Sequence, residues 1–286
     1  MLFRSSTPGD GLVVQTPVYP PILRAPDNCG LVRAEAELAR DADGRYAIDF
    51  DVFRSAIAER SRIFLLCNPH NPVGRVWERA ELSQLAELCL ARDLVIIADE
   101  IHCDLVYGGR PHVPIASLGP EVERRTITLM APSKTFNLPG LKSSIAIIPD
   151  AALRARFVAA QVDLVRSVNV LGYTATLAAY RDGQTWLDEL LRYLEGNRDF
   201  TGDYVKRHLP GVSMVRPEGT YLAWLDCRAA QIPGGDPFAF FLERAKVALN
   251  DGASFGRPGR GFARLNFGCP RSLLAEGLER MRTALG

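Results

Sequence analysis

Short apolar runs alternate with helix-like stretches through the first half of the chain. Residues 12–16, 63–67, 94–98, 126–130 and 144–148 are five such runs, rich in Leu, Val and Ile. Their length and β-branched content read as strands. They lack polar alternation, so each strand is expected to be buried on both faces, as in a parallel sheet covered by helices. After the second run, Leu82, Leu85, Ala86 and Cys89 recur at helical spacing and predict one covering helix. From 151 to 180 the period is helical for an unusual length, with few breakers before Gly172 and Gly183, and reads as a connecting helix. Beyond Trp186 the order becomes helix (186–208), strand (220–225), helix (237–250), strand (261–267) and helix (272–285), an α+β pattern. The predicted organisation is a large α/β domain over 1–155, a connecting helix over 156–185 and a small α+β domain over 186–286.

Composition narrows the function more than the fold. A chain of 286 residues buries a core without help from disulfides or metals, and 47% apolar with 23% charged residues excludes disordered and collagen-like classes. With 34 Lys and Arg against 33 Asp and Glu the net charge is +1, so no global field holds nucleic acid or an anionic membrane. An anionic ligand needs a local site. No apolar run is long enough to span a bilayer, and residues 1–20 carry Pro and Asp where a signal peptide needs apolar residues, so a cytoplasmic location is expected. Six cysteines without a C-x-x-C pair read as small core residues in a reducing compartment, and no metal site is expected.

Chemistry gathers just beyond the predicted strands. The second strand runs into Asn68-Pro69-His70-Asn71-Pro72-Val73-Gly74-Arg75, which is either a plain turn or part of a site, because open α/β sheets bind ligands outside the carboxyl ends of their strands. The third runs into Asp99-Glu100-Ile101-His102. A buried carboxylate there needs a partner, either a helix N-terminus that it caps or a cation such as the protonated pyridine nitrogen of pyridoxal phosphate. After the fourth strand comes Ser133-Lys134, with Gly140 following. Most lysines are solvated surface charges, but one held between a strand end and a glycine-containing turn is partly desolvated, which favours the neutral amine that attacks carbonyls.

These runs together resemble the fold-type I pyridoxal-phosphate enzymes of the class I/II aminotransferase superfamily, and within it the MalY/PatB-type cystathionine β-lyase branch. The matching stretches are 8–21, 68–75, 99–105, 133–140 and 264–271, so the resemblance extends over essentially the whole chain. It implies a three-layer α/β/α large domain with a smaller α+β C-terminal domain. It also implies that Lys134 carries the cofactor and, once freed by substrate, removes the Cα proton. Asp99 is implied to hold the pyridinium nitrogen, Asn71 to donate to the phenolate oxygen, and Tyr19 to stack on the ring. His102 stands where many relatives have a tyrosine and is implied to border the cofactor, the alternative being a core histidine. Arg264 matches the arginine that clamps the substrate α-carboxylate, against the plainer reading of a surface arginine. Ser133 and Lys142 are the implied phosphate ligands, although Ala131 stands where relatives have a serine and Lys142 where they have an arginine.

Chains of the family begin well before the Pro8-Gly9-Asp10-Gly11 run, with a Gly-containing turn and helix N-terminus that cradle the phosphate and a tyrosine that reaches the neighbouring subunit. Here Met1 stands seven residues ahead of Pro8, so weaker phosphate anchoring and a weaker dimer are expected. The function implied is β-elimination on L-cystathionine or related cysteine S-conjugates, giving thiol, pyruvate and ammonia. The alternatives are a class I/II aminotransferase and a truncated, non-catalytic or regulatory relative. A small amino-acid substrate and a homodimer are implied, with no nucleic acid and no membrane partner.

Overall fold

The structure, a computed structural model, describes residues 6–161 and 167–286. Its first half follows the order β1 (Gly11–Thr16), α1 (Pro20–Asn28), β2 (Val32–Glu37), β3 (Ala39–Arg40), β4 (Tyr46–Ala47), α2 (Phe50–Ala56), β5 (Ser61–Cys67), α3 (Arg79–Ala91) and β6 (Val95–Asp99). It continues through α4 (Pro120–Arg124), β7 (Thr126–Met130), α5 (Pro132–Thr135), β8 (Ile145–Ile147) and α6 (Ala151–Ala160). Six strands form one sheet in the order β2-β1-β5-β6-β7-β8, parallel except for β8. Both faces are covered. Val13, Phe64, Leu66 and Ile96 pack on Leu82 and Leu85 of α3, while Leu12, Val14, Ile63 and Ile97 pack on Ile22 of α1 and Leu153 of α6. This is the three-layer α/β/α arrangement that the apolar strands require.

Two sheet features depart from the sequence reading. The run 144–148 forms an antiparallel edge strand, not a buried parallel one, with Ile145 and Ile147 39% and 47% exposed. The chain between β7 and β8 stays at the carboxyl end of the sheet, where α5 and a 3₁₀ turn at Pro139–Leu141 sit, so β8 starts there and must run back. The other edge strand, β2, reads Val-Arg-Ala-Glu-Ala-Glu and carries the charges usual on an edge, which hides it from a search for apolar runs.

The second half holds α7 (Val170–Asp182), α8 (Gln184–His208), β9 (Leu222–Asp226), α9 (Pro237–Phe240), β10 (Asn250–Asp251), β11 (Phe262–Asn266) and α10 (Arg271–Leu285). β10, β11 and β9 form an antiparallel sheet whose Ala223, Leu225, Ala263 and Leu265 pack on α8 and α10. The expected long connecting helix is broken: α6 ends at Ala160, and α7 restarts where Asn169 caps it by accepting from the Gly172 amide at 2.8 Å, with 162–166 outside the described residues. The helix expected over 237–250 is also cut short. A π-turn at Phe241–Ala245 follows α9, Lys246 turns left-handed at φ 54°, and Asn250 pairs with Arg264 in the sheet. Among the described residues no helix is long and apolar enough to cross a membrane.

Candidate active site

In the order β2-β1-β5-β6-β7 the winding reverses between β1 and β5, and a crevice opens outside the carboxyl ends of strands at such a point. Four loops leave the sheet there. β1 leads to Tyr19, β5 to Asn71, β6 ends on Asp99, and β7 runs into the single turn of α5 that carries Lys134. Tyr19, Asn71, Asp99, His102, Ser133, Lys134, Lys142 and Arg264 line one hollow of about 520 Å³, so every site residue expected from the sequence is brought together.

The loops are tied to one another rather than left to pack by chance. Tyr19 donates its amide to the Asn71 carbonyl at 3.0 Å, and His70 Nε2 meets the Pro17 carbonyl at 2.9 Å, which fixes the β1 loop against the β5 turn. Trp77 donates its amide to Asn68 Oδ1 at 3.1 Å and its indole N–H to the Cys67 carbonyl at 3.2 Å, closing the turn from below. Thr135 Oγ1 donates to Asp104 at 2.8 Å, which binds the turn of Lys134 to the segment that follows Asp99.

The electrostatics of the hollow are unbalanced in a specific way. Burial raises the Asp99 carboxyl to about 6, since its one hydrogen bond, from the Ile101 amide at 3.2 Å, and the charge of Lys134 offset only part of the desolvation. Burial lowers His102 to about 3, helped by Lys134 and Arg264, so its imidazole is neutral at physiological pH. Among the described residues its Nδ1 has no hydrogen-bond partner, and its ring meets Tyr221 edge-on at 5.7 Å. On the opposite wall Arg264 donates to Asn71 Oδ1 at 2.8 Å and to Asn250 Oδ1 at 2.8 and 3.2 Å, and lies over Phe255 at 4.9 Å. Among the described residues no carboxylate pairs with Arg264, and Asp99 makes no salt bridge, the charge of Lys134 acting on it only through space. A ligand with a cationic ring nitrogen and a carboxylate would satisfy both, which is the chemistry of pyridoxal phosphate with an amino acid. The fit is less complete toward phosphate: of the two expected ligands, Ser133 and Lys142, the second is an exposed point charge in a left-handed conformation at φ 50°, and Ser143, which also lines the hollow, is paired with Thr176 at 2.8 Å.

The strain at Asp99 has a measurable sign. Its folded value lies above the ordinary 3.8, so between the two the folded chain holds a proton that the unfolded chain lacks, and stability falls as pH rises through that window. Asp99→Asn should therefore raise the thermal midpoint of the cofactor-free chain by several degrees near pH 8 and by less near pH 5. Equal midpoints for the two chains near pH 8 would contradict the assignment.

Three contributors escape the sequence reading. Tyr221 falls inside the predicted strand 220–225, but Thr220 takes φ 69° and β9 begins only at Leu222, which turns Tyr221 into the hollow. Asn250 was expected to end a helix, and Phe255 carries no local signal; both are recruited by Arg264 through the second sheet.

Residues 1–281 match the family described as Aminotransferase class I and II. The cystathionine beta-lyase PatB of Bacillus subtilis is 41% identical over 280 residues, covering 97% of this chain and 72% of that one. The protein MalY of Escherichia coli is 36% identical over 283 residues, covering 98% and 72%. Cystalysin from Treponema denticola, whose crystal structure contains pyridoxal 5'-phosphate, superposes with a TM-score of 0.94 at 35% identity, over 99% of this chain and 73% of that one. The chain belongs to the class I and II aminotransferase family, of fold type I.

Proposed function

We propose that this chain is a pyridoxal-phosphate-dependent C–S β-lyase acting on L-cystathionine or a related cysteine S-conjugate. The observation that carries the reading is a pair of charges in one hollow that no salt bridge meets among the described residues, the Asp99 carboxyl, which Lys134 offsets only in part, and the Arg264 guanidinium, with Lys134 lining the same space. The names of PatB and cystalysin's bound cofactor support it. In this reading Asp99 holds the pyridinium nitrogen, Asn71 donates to the phenolate oxygen, Tyr19 covers the ring, His102 borders it, and Ser133 with Lys142 takes the phosphate. When bound, the cofactor supplies an electron sink for the pair left on Cα after deprotonation.

Arg264 fixes the substrate α-carboxylate, and because Asn71, Asn250 and Phe255 already hold its guanidinium flat, little ordering remains for binding to accomplish. Lys134 accepts the Cα proton. The electron pair released forms the Cα–Cβ double bond, the Cβ–S bond breaks, and sulfur leaves as a thiolate that takes up a proton. The freed enamine hydrolyses to pyruvate and ammonia. The experiment is pyruvate release from L-cystathionine by the purified chain with pyridoxal phosphate and no added keto acid. Stoichiometric pyruvate and thiol are expected; product formed only when a keto acid acceptor is supplied overturns the lyase assignment in favour of transamination.

The same reading takes 1–155 as the cofactor-holding domain and 186–286 as the smaller one that contributes Arg264 and Tyr221. It also takes the chain to be cytoplasmic, in keeping with six free cysteines, and homodimeric. Val170, Leu171, Tyr173 and Leu177 of α7 are 60–75% exposed, an apolar stripe that a second subunit would cover. Leu177→Glu should shift the sedimentation coefficient from dimer to monomer while leaving the far-UV spectrum unchanged. A monomeric parent chain at micromolar concentration would remove the dimer from the reading.

A further inference from the structure

We propose that Arg75 and Glu218 form a positioning latch that sets the wall of the active site, joining the turn that carries Asn71 to the segment that carries Tyr221. The inference rests on the reading of this hollow as the substrate site and extends it to residues outside the hollow. Arg75 is 3% exposed, yet all three nitrogens of its guanidinium are engaged: Nε donates to Glu218 Oε2 at 3.0 Å, Nη2 to both oxygens of Glu81 at 2.9 and 3.1 Å, and Nη1 to the Tyr46 carbonyl. Glu218 answers with four bonds, accepting also from the Val76 amide at 3.0 Å and from Arg45 at 2.9 and 3.1 Å.

The backbone repeats the connection. The amides of Glu218 and Gly219 both donate to the Gly74 carbonyl, at 2.8 and 3.1 Å. That approach is why position 74 is glycine: its φ is 73°, and a Cβ there would lie 2.3 Å from Pro217 Cβ. From the other side Tyr107 donates its amide to the Glu218 carbonyl at 2.9 Å and its hydroxyl to the Thr220 carbonyl at 2.6 Å, while Thr220 donates to Leu105 at 2.8 Å. Residues 218–220 are thus clamped between two loops, and Thr220 is held at φ 69°, the turn that aims Tyr221 at His102. Burial by itself would raise the Glu218 carboxyl, but the Val76 amide, Arg75 and Arg45 outweigh it and hold it low, so the latch stays charged at neutral pH.

A buried ion pair of this kind adds little net stability over an apolar pair; what the planar fork adds is a single geometry. Asn71 stands four residues before Arg75 and Tyr221 three after Glu218, so the pair fixes the separation of two walls built on different sheets. Arg75 and Glu218 are positioning residues that touch no reacting atom.

The test is a double-mutant cycle of Glu218→Gln with Tyr221→Leu, reading KM and kcat for a cysteine S-conjugate, the thermal midpoint, and amide hydrogen exchange of the cofactor-free chain. Glu218→Gln should raise KM roughly tenfold with kcat nearly unchanged, and in the Tyr221→Leu background the effect on KM should shrink to less than about twofold. A lowered midpoint with unchanged KM, or additive effects on KM, overturns the latch. Should Glu218→Gln not fold, Arg75→Lys, which keeps the charge and loses the fork, is read by the same criteria. If the parent chain turns over no substrate, the lyase reading has failed, and exchange alone decides the latch. Faster exchange at both 68–75 and 217–222 in the variant upholds it, and unchanged exchange at 68–75 overturns it.

Discussion

Replacing Lys134 by Ala should leave a folded chain that binds pyridoxal phosphate only reversibly and eliminates thiol at least about 10³-fold more slowly, the scale of a positioned general base. Folding should survive because the anchors of α5 do not use the Lys134 side chain. Thr135 holds Asp104, and the amides of Phe136 and Leu138 return to Pro132 and Ser133 at 2.8 and 3.1 Å. The contacts proposed for the ring and carboxylate, at Tyr19, Asn71, Asp99 and Arg264, are likewise intact in the variant. Borohydride separates covalent from reversible attachment: the parent chain should retain cofactor through subsequent denaturation, and Lys134→Ala should lose it. A variant that keeps more than about a tenth of the parent rate would show that the proton goes to another group. His102, held neutral and lining the same hollow, is the first alternative to test, and a further loss in the double variant with His102→Gln would identify it.

The site was legible in the sequence to the extent that it hangs on buried strands. β6 ends on Asp99, β5 is followed directly by Asn68, and β7 leads within three residues to Ser133, and a sheet covered on both faces exposes polar groups chiefly at its ends. Asn71, Asp99 and Lys134 were therefore placed at one edge by order alone. Direction was not legible. The run at 144–148 has the composition of its parallel neighbours, and only the path of 131–144 along the carboxyl end makes β8 antiparallel. Nor was anything that depends on contact between the two sheets. Asn250 and Phe255 gain their places from Arg264 on another strand, and Tyr221 from the clamping of 218–220 against the distant 74–76 turn, whereas a periodicity argument reaches only a few residues. The long helix over 151–180 failed for a related reason: Asn169 is a capping residue inside a helical period, and the period masks the break.

Arg264→Ala should reduce kcat/KM for the amino-acid substrate by two to three orders of magnitude, mostly through KM, since losing one partner of a desolvated, hydrogen-bonded charge pair costs about 2–5 kcal/mol, and about 1.4 kcal/mol is a factor of ten. Among the described residues the guanidinium bonds the amide oxygens of Asn71 and Asn250, lies over the face of Phe255 and pairs with no carboxylate. Burial already lowers its pKa relative to a free arginine, with Tyr19 and Tyr221 countering only in part, which means that an incoming carboxylate relieves a charge held at some cost. Arg264→Lys should recover only a small part of the loss, because an ammonium can neither fork onto a carboxylate nor lie flat on Phe255 while bonded to two asparagines. The control is a substrate analogue lacking the α-carboxylate. The parent chain should reject it strongly against the parent substrate, and Arg264→Ala should discriminate little between them, since the charge that told them apart is gone. A rise in KM of less than about threefold for Arg264→Ala would place the carboxylate elsewhere, and with it the orientation of Cα toward Lys134.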